Sequence, residues 1–99
     1  MRILSMPPAV RHQLRLYVAG STPRSLRAVQ NIKRICEAAL PDQYALEVID
    51  AYKEPGRLAR DQIIAIPTLI KISPGVIKRL IGDLSQEAQV RRGLGLAAA

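Results

Sequence analysis

The sequence contains few of the residues on which covalent and metal chemistry depend. It has no Phe or Trp, and in 99 residues it has one cysteine, Cys36, and one histidine, His12. A lone cysteine cannot form an internal disulfide, whereas small secreted domains usually need several to be stable. We therefore expect a cytoplasmic location.

Long apolar runs are missing as well. No segment approaches the ~20 apolar residues that span a bilayer, and the proline-broken stretch 1–10 is too short for a signal peptide. The sequence predicts neither export nor a membrane span.

Potential catalytic groups are scattered along the chain. His12 has no Cys or His companion at metal-ligand spacing, so we interpret it as solvent-exposed in an N-terminal tail and expect no metal site. The serines lack a histidine base within the folded part, and no glycine-rich phosphate loop occurs. The carboxylates are too dispersed to act as pairs: Asp50, Glu54, Asp61 and Asp83. We expect a protein that is not an enzyme and needs no cofactor.

Positive charge is in excess, with 15 Lys and Arg against 8 Asp and Glu and a formal net charge of +7. This balance favours an anionic partner, although charge alone does not choose among nucleic acid, a membrane surface and an acidic protein face. The cations are spread along the chain and stacking aromatics are few, which argues against nucleic acid. We expect a protein partner.

The length predicts one domain with one core, running from about residue 13 to residue 96, with flexible tails at 1–12 and 97–99. Its first half has the pattern of a strand, a helix and a strand. Apolar residues alternate with Arg15 and Tyr17 between Leu14 and Val18, which predicts a strand with one strongly buried face. Residues 44–50 predict the second strand, and this order implies a right-handed parallel crossover.

The helix between these strands has clear boundaries. Ser21 or Thr22 is placed to cap it, Pro23 suits the first helical position, and Pro41 ends it. Apolar residues at three- and four-residue spacing predict its buried face. They are Leu26, Val29, Ile32, Ile35, Cys36 and Ala39. Cys36 is therefore interpreted as a core residue.

The second half, residues 53–96, is less determined by its pattern. The predicted elements are, in order, a helix from Glu54 to about Ile64, strands at 68–72 and 76–81, and a helix capped by Asp83 or Ser85. Pro74-Gly75 marks a turn between the two strands. The simple interpretation is βαβαββα, but apolar runs this short are equally compatible with buried helical segments.

The order βαβαββα is that of a thioredoxin-like domain. The redox site of such a domain would place a Cys-x-x-Cys at the first strand–helix junction, residues 20–25 here, which contain no cysteine. Without a thiolate, disulfide exchange is excluded by its chemistry. Pro67 precedes the third strand at the place where such domains carry a cis proline, and both isomers remain open from the sequence.

Four motifs in order resemble the KaiB family over about residues 14–94. They are Leu16-Tyr17-Val18-Ala19-Gly20 with Thr22-Pro23 and Ser25-x-Arg27-Ala28, then Tyr44-Ala45-Leu46-x-Val48-Ile49-Asp50, then Pro67-Thr68-Leu69, then Arg79-Leu80-Ile81-Gly82-Asp83-Leu84-Ser85. The same pattern resembles, more loosely, the KaiB-like domain at the start of the histidine kinase SasA.

The resemblance implies a metamorphic α/β fold. In this family a ground-state homotetramer shares the first βαβ unit with a thioredoxin-like monomer, and the second half is rebuilt between them. The rare monomer binds the hexameric ATPase KaiC, and the complex sequesters KaiA and displaces SasA. Two such arrangements coexist when they differ by a few kcal/mol, and residues 53–96 are where the pattern does not choose. In a crystal we expect the tetramer, because assembly stabilises it by mass action.

The resemblance also assigns residues to the partner-facing surface and to the rebuilt turns. The partner-facing residues are Arg15, Tyr17, Arg27, Lys71 and Arg79. The turn and fold-switch residues are Pro67, Pro74, Gly75, Gly82 and Asp83. Their alternative interpretation is a solvated basic face with ordinary turns.

Two departures from the family pattern suggest a divergent bacterial homologue whose clock-like system lacks KaiA. Glu47 occupies a position where the second strand often carries lysine, and the acidic C-terminal tail of cyanobacterial members is replaced by residues 93–99. The rival function is a KaiC-independent oligomeric or stress-related interaction module without redox activity.

Overall fold

The protein is described here by a computed structural model covering residues 11–96. The predicted tail segments 1–10 and 97–99 lie outside the described residues. The elements follow the order βαβαββα, the simple interpretation of the sequence. They are β1 (His12–Val18), α1 (Pro23–Ala39), β2 (Tyr44–Asp50), α2 (Pro55–Arg60), β3 (Thr68–Ser73), β4 (Lys78–Ile81) and α3 (Glu87–Leu94).

The four strands form one sheet in the order β2-β1-β3-β4. Strand β1 runs parallel to β2 and antiparallel to β3, and β4 runs antiparallel to β3. The predicted parallel crossover through α1 is therefore confirmed. Within residues 11–96, β2 and β4 are the two edges of the sheet.

Helix α1 begins and ends as its flanking residues predict. Thr22 is the N-cap and its hydroxyl accepts a hydrogen bond from the amide of Ser25, while Pro23 occupies the first turn. The helix ends at Ala39, two residues before Pro41.

The buried face of α1 differs from its prediction, which included Leu26 and omitted Ser25 and Ala28. Leu26 is 49% exposed, so its assignment to the core was wrong. The side chains that face the sheet are centred on Ala28 and Ile32, and they include the small polar Ser25. Cys36 is buried on this face as predicted.

Both faces of β1 are covered. The larger core lies between the sheet and helices α1 and α3, and it contains Leu14, Leu16, Val18, Ala28, Ile32, Ile35, Cys36, Leu40, Leu69, Leu84, Val90 and Leu94. A smaller cluster of Tyr17, Ile49 and Ile70 lies on the opposite face, under Leu58 of α2 and Ile63. The prediction of one strongly buried face was therefore incomplete, because it left Tyr17 on the outside.

The interpretation of His12 as an exposed tail residue was wrong. His12 begins β1 and is buried, and its Nε2 lies 3.1 Å from the carbonyl oxygen of Leu94. Because a carbonyl only accepts, this nitrogen donates. The histidine therefore joins the first strand to the end of the last helix, a long-range contact that composition does not reveal.

The second half departs from prediction mainly at its helix ends. Helix α2 ends at Arg60 rather than near Ile64, and Gln62 has a left-handed φ of 55° that a helix cannot continue. Helix α3 begins after Gln86 without a side-chain cap. The predicted cap Asp83 instead accepts a hydrogen bond from the amide of Ser85 at 3.1 Å.

The proline turns take defined isomers. The Ile66–Pro67 and Ser73–Pro74 bonds are both cis, which answers the question left open at Pro67. Gly75 follows Pro74 with a φ of 72°, so the predicted turn between β3 and β4 is present.

Candidate protein-binding surface

A polar network lies where α2 covers the sheet. Arg15 and Tyr17 are two residues apart in β1 and so project from the same face. The Tyr17 hydroxyl donates to Asp61 Oδ2 at 2.5 Å and lies 3.2 Å from the carbonyl oxygen of Arg57. Arg15 Nη1 donates to the same Asp61 oxygen at 2.9 Å. Through these hydrogen bonds Asp61 connects the C-terminal end of α2 to β1.

Glu47 of β2 extends this network to a third element. Its two carboxylate oxygens accept from Arg57 at 2.7 and 3.0 Å, and it forms an ion pair of 3.4 Å with Arg15. Such forked pairing fixes the orientation of both groups. We call these five residues the Asp61 network: Arg15, Tyr17, Glu47, Arg57 and Asp61.

The network shifts the pKa values of its members. The hydrogen bond from Tyr17, followed by that from Arg15, lowers the pKa of Asp61. Arg57 lowers the pKa of Glu47. Burial, with the bond to Asp61, raises the pKa of Tyr17. At neutral pH the carboxylates are therefore ionised and the phenol is protonated.

Sequence reasoning found two members of this network, Arg15 and Tyr17, and missed the other three. It treated Asp61 as an isolated carboxylate. Arg57 and Asp61 are four residues apart, which is the spacing of one helix face, and this was the available signal. Glu47, the departure from the family pattern, has internal partners in this structure.

Arg27 lies on the other side of the domain. Its Nε is 3.2 Å from Asp83 Oδ2, while Asn31 Nδ2 donates to the carbonyl oxygen of Asp83 at 2.9 Å. Hydrogen bonds from Ser85, and then from Arg27, lower the pKa of Asp83. Helix α1 is thus joined to the loop between β4 and α3.

The other two predicted basic residues are placed very differently from each other. Lys71 is only 6% exposed, and its ammonium group donates to the carbonyl oxygen of Pro74 within the turn. Arg79 is exposed on β4, with Nη1 3.3 Å from the carbonyl oxygen of Gln62. Cross-strand register places Arg79 beside Ile70 and Ile70 beside Arg15, so both arginines share the α2 face.

Three of the five predicted turn residues, Pro67, Gly82 and Asp83, lie close together. The amide of Gly82 donates to the carbonyl oxygen of Pro67 at 2.9 Å, and Gly82 has a φ of 114° that favours glycine. Asp83 follows and contacts Arg27. Pro74 and Gly75 lie apart from these three, in the β3–β4 turn.

The first strand–helix junction, where a redox-active thioredoxin-like domain carries its thiols, holds a hydrogen-bonded serine in this protein. Ser25 Oγ accepts a hydrogen bond from the amide of Ala19 at 2.9 Å. The chain's cysteine is elsewhere, and burial raises the pKa of the Cys36 thiol to about 11. A thiol in this environment is largely protonated near neutral pH.

We expect Cys36 to be unreactive in the folded protein. Because the thiolate is the reacting form and the side chain is buried, alkylation by iodoacetamide at pH 8 should be at least about a hundredfold slower than in denaturant. Mass spectrometry of timed samples measures this ratio. Comparable rates in the two states would contradict the core assignment.

The described residues offer neither a metal site nor a membrane-spanning helix. Among residues 11–96, no three His, Cys, Asp or Glu side chains are grouped so that they could hold a metal ion. No helix of that part has the length and apolar character needed to cross a membrane.

The fold resembles known thioredoxin-like structures. The N-terminal domain of SasA from Synechococcus elongatus superposes with a TM-score of 0.72 and 26% identity, covering 100% of this chain and 97% of that domain. Mitochondrial thioredoxin 3 from Saccharomyces cerevisiae gives a TM-score of 0.70 at 15% identity, covering 87% of this chain and 78% of that one. The architecture is therefore a mixed α/β thioredoxin-like fold.

Sequence comparison is more specific. The chain is 46% identical over 91 residues to the circadian clock oscillator protein KaiB of Synechococcus elongatus, covering 92% of this chain and 89% of the relative. It is 49% identical over 83 residues to the protein of the same name from Prochlorococcus marinus subsp. pastoris, covering 84% and 78%. The KaiB domain matches residues 15–96. This chain belongs to the KaiB family.

Proposed function

We propose that this protein is a non-enzymatic, cytoplasmic clock regulator that binds a KaiC-like hexameric ATPase and modulates its phosphorylation and ATPase cycle. The observation that carries the proposal is the βαβαββα arrangement together with the identity to clock proteins named KaiB. This arrangement is the one that the family resemblance assigns to the ATPase-binding monomer. The missing thiolate supports a binding function on a fold that elsewhere serves redox chemistry.

The proposed rearrangement replaces contacts between helix α1 and the second half. Two of these contacts are exposed ion pairs, Arg27 with Asp83 and Arg34 with Glu87, which contribute little to stability. Others are the hydrogen bond from Asn31 to the Asp83 carbonyl and the apolar core that α1 shares with Val90 and Leu94. A second packing of residues 53–96, as in a homotetramer or homodimer, must therefore bury comparable apolar surface for the two arrangements to differ by only a few kcal/mol.

Binding through a minor conformer would be slow and weakened. A competent fraction of about 1% lowers the apparent affinity about a hundredfold. Such slow capture is a source of delay in a cycle. The likeness to the SasA domain supports competition between this protein and a SasA-type kinase for one site on the ATPase, and a KaiA-type protein is the further partner that the resemblance implies.

The exposed cations are the proposed contacts. Arg27 and Arg79 present charge to solvent, whereas Arg15 and Tyr17 position α2 through Asp61. Lys71 is enclosed by its own turn, so its role in this arrangement is to support that turn. A charge reversal at Lys71 would bury a carboxylate and disturb the fold, and it is therefore unsuitable as a surface test.

The test is binding to the host's KaiC-type ATPase, measured by biolayer interferometry in ATP and in ADP. We expect slow association in at least one nucleotide state, and a further slowing of about tenfold for Arg27→Glu and for Arg79→Glu. Arg92→Glu, an exposed change on α3, serves as the matched control and should leave the rate unchanged.

The outcomes separate the proposal from its rival. Absence of binding in both nucleotide states favours the KaiC-independent interaction module. Binding that is unaffected by both test variants removes Arg27 and Arg79 from the contact surface while leaving the partner in place.

A further inference from the structure

Strand β4 is an open edge with unusual surroundings. It pairs with β3 on one side, and no other strand of residues 11–96 pairs with its outer side. Unpaired backbone groups along a sheet edge are a template for adding another strand. The side chains around this edge determine the charge and polarity of the strand that could bind there.

The chain segment that contains β3 and β4 carries positive charge and no acid, and Asp61 and Asp83 flank it. The segment 62–82, which includes β3 and β4, contains Lys71, Lys78 and Arg79 but no Asp or Glu. Lys71 is enclosed in its turn, while Lys78 and Arg79 are exposed. Elsewhere Arg15, Arg27, Arg34 and Arg57 form ion pairs with carboxylates. The charge at the β4 edge is therefore not compensated by a carboxylate in the described ion pairs.

Apolar side chains also surround this edge. Ile77 and Ile81, which flank and end β4, are 59% and 62% exposed, and Ile64, which lines the same groove as Ile81, is 91% exposed. A groove of about 220 Å³ runs along the α2 face of the edge. Its lining is Gln62, Ile63, Ile64, Thr68, Arg79 and Ile81. Branched aliphatic side chains beside an open edge favour occupation by another chain.

We propose that β4 receives an extended, acidic segment of a partner protein as a fifth strand. Main-chain hydrogen bonds would supply affinity, and alternate side chains would supply specificity. On the α2 face, an apolar side chain of the segment enters the groove beside Ile81 and an acidic one meets Arg79. On the opposite face, Lys78 meets a second acid, because successive residues of a strand point to opposite sides.

Charge disfavours the alternative occupants. A second copy paired through β4 would bring the Lys78 and Arg79 side chains of both copies close together, and like charges placed near each other across strands are destabilising. The other sheet edge, β2, contains Glu47 and Asp50 but no Lys or Arg, so it offers an acidic strand no cation of its own. An acidic segment is therefore expected to prefer the β4 edge to the β2 edge.

The experiment uses the whole chain and a short end-capped peptide built on Val-Glu-Glu, which places a valine and a glutamate on one face of a strand and a glutamate on the other. We expect ¹⁵N NMR titration to shift the amides of residues 78–81 and not those of 44–50. Binding should be at least about tenfold tighter than that of the same peptide with lysine in place of each glutamate, and it should weaken with salt. The Lys78→Glu/Arg79→Glu double variant should lose about tenfold, and the neutral Arg79→Gln less.

Lys33→Glu, an exposed charge reversal on α1 beside β2, is the matched control and should bind as the unmodified chain does. Equal binding of the two peptides, shifts centred on β2, or no binding at millimolar acidic peptide overturns the proposal. Concentration-dependent shifts at 78–81 in the free chain would assign the edge to a second copy instead. No ATPase is present, so failure here leaves the proposed function untouched.

Discussion

Asp61→Ala is expected to lower the free energy of unfolding by about 2 kcal/mol. Asp61 accepts hydrogen bonds from Tyr17 and Arg15, and Tyr17 is fully buried. Removing the acceptor leaves a buried hydroxyl without its strongest partner, which costs about 1–3 kcal/mol. Urea denaturation followed by circular dichroism measures the loss.

The same variant should change the dependence of stability on pH. The pKa of Asp61 is lowered by folding, so its contribution is present above the pKa of the unfolded chain, about 3.9. That contribution is lost as the pH falls below about 4 through the folded pKa. Between pH 5 and pH 2 the unmodified chain should therefore lose more stability than the variant.

Glu87→Ala is the matched control. It removes a carboxylate from the exposed pair with Arg34, and it should change stability by no more than about 0.5 kcal/mol. If the two variants lose equal stability, the Asp61 network is a set of surface contacts and not a support for α2.

The elements that were predictable are those defined by local chemistry. The alternation around Leu14, the cap at Thr22 and the break at Pro41 depend on residues a few positions apart. Each of these signals therefore acts through local backbone geometry, which is the same in any fold. The order of the second half was the simple interpretation of its pattern, which periodicity left open between strands and buried helices, and the resemblance to the KaiB family implied two arrangements of that half.

The errors share a physical cause, which is contact between residues distant in the chain. His12 looked like a tail residue because its partner, the carbonyl of Leu94, is 82 residues away. Leu26 has core chemistry, but the position of the sheet leaves it on the flank of α1. Asp61 acquires its role only when α2 lies over β1. Tertiary packing decides whether such residues are buried and which partners they have, and it cannot be inferred from a short stretch of sequence.

The difference between local signals and tertiary packing also explains which of the predicted basic residues are exposed. Family motifs place Arg27, Lys71 and Arg79 together by analogy, yet only two of them are exposed in this arrangement. A cation's position in a motif does not determine whether its charge faces solvent or a carbonyl of its own turn. Because Lys71 is buried, the candidate contacts with a partner protein are Arg27 and the residues of the β4 edge.

Gly93→Val is expected to destabilise this arrangement of the second half by about 2 kcal/mol. A Cβ at Gly93 would lie 2.9 Å from both Cδ atoms of Leu80 and 3.2 Å from its Cγ, and overpacking of this kind costs about 1–3 kcal/mol. The contact joins α3 to β4, so faster amide hydrogen exchange should be confined to residues 78–81 and 87–94. Exchange followed by NMR, with urea denaturation, measures both effects.

Gly56→Val controls for the change of residue type. Gly56 also lies in a helix, but a Cβ there has no neighbour within 4 Å, so its stability should stay within about 0.5 kcal/mol. If the arrangement seen here is the minor, ATPase-binding one, a loss of about 2 kcal/mol lowers its population, and thus the apparent affinity for the ATPase, about thirtyfold. Unchanged affinity for Gly93→Val would then show that the ATPase binds a different packing of α3.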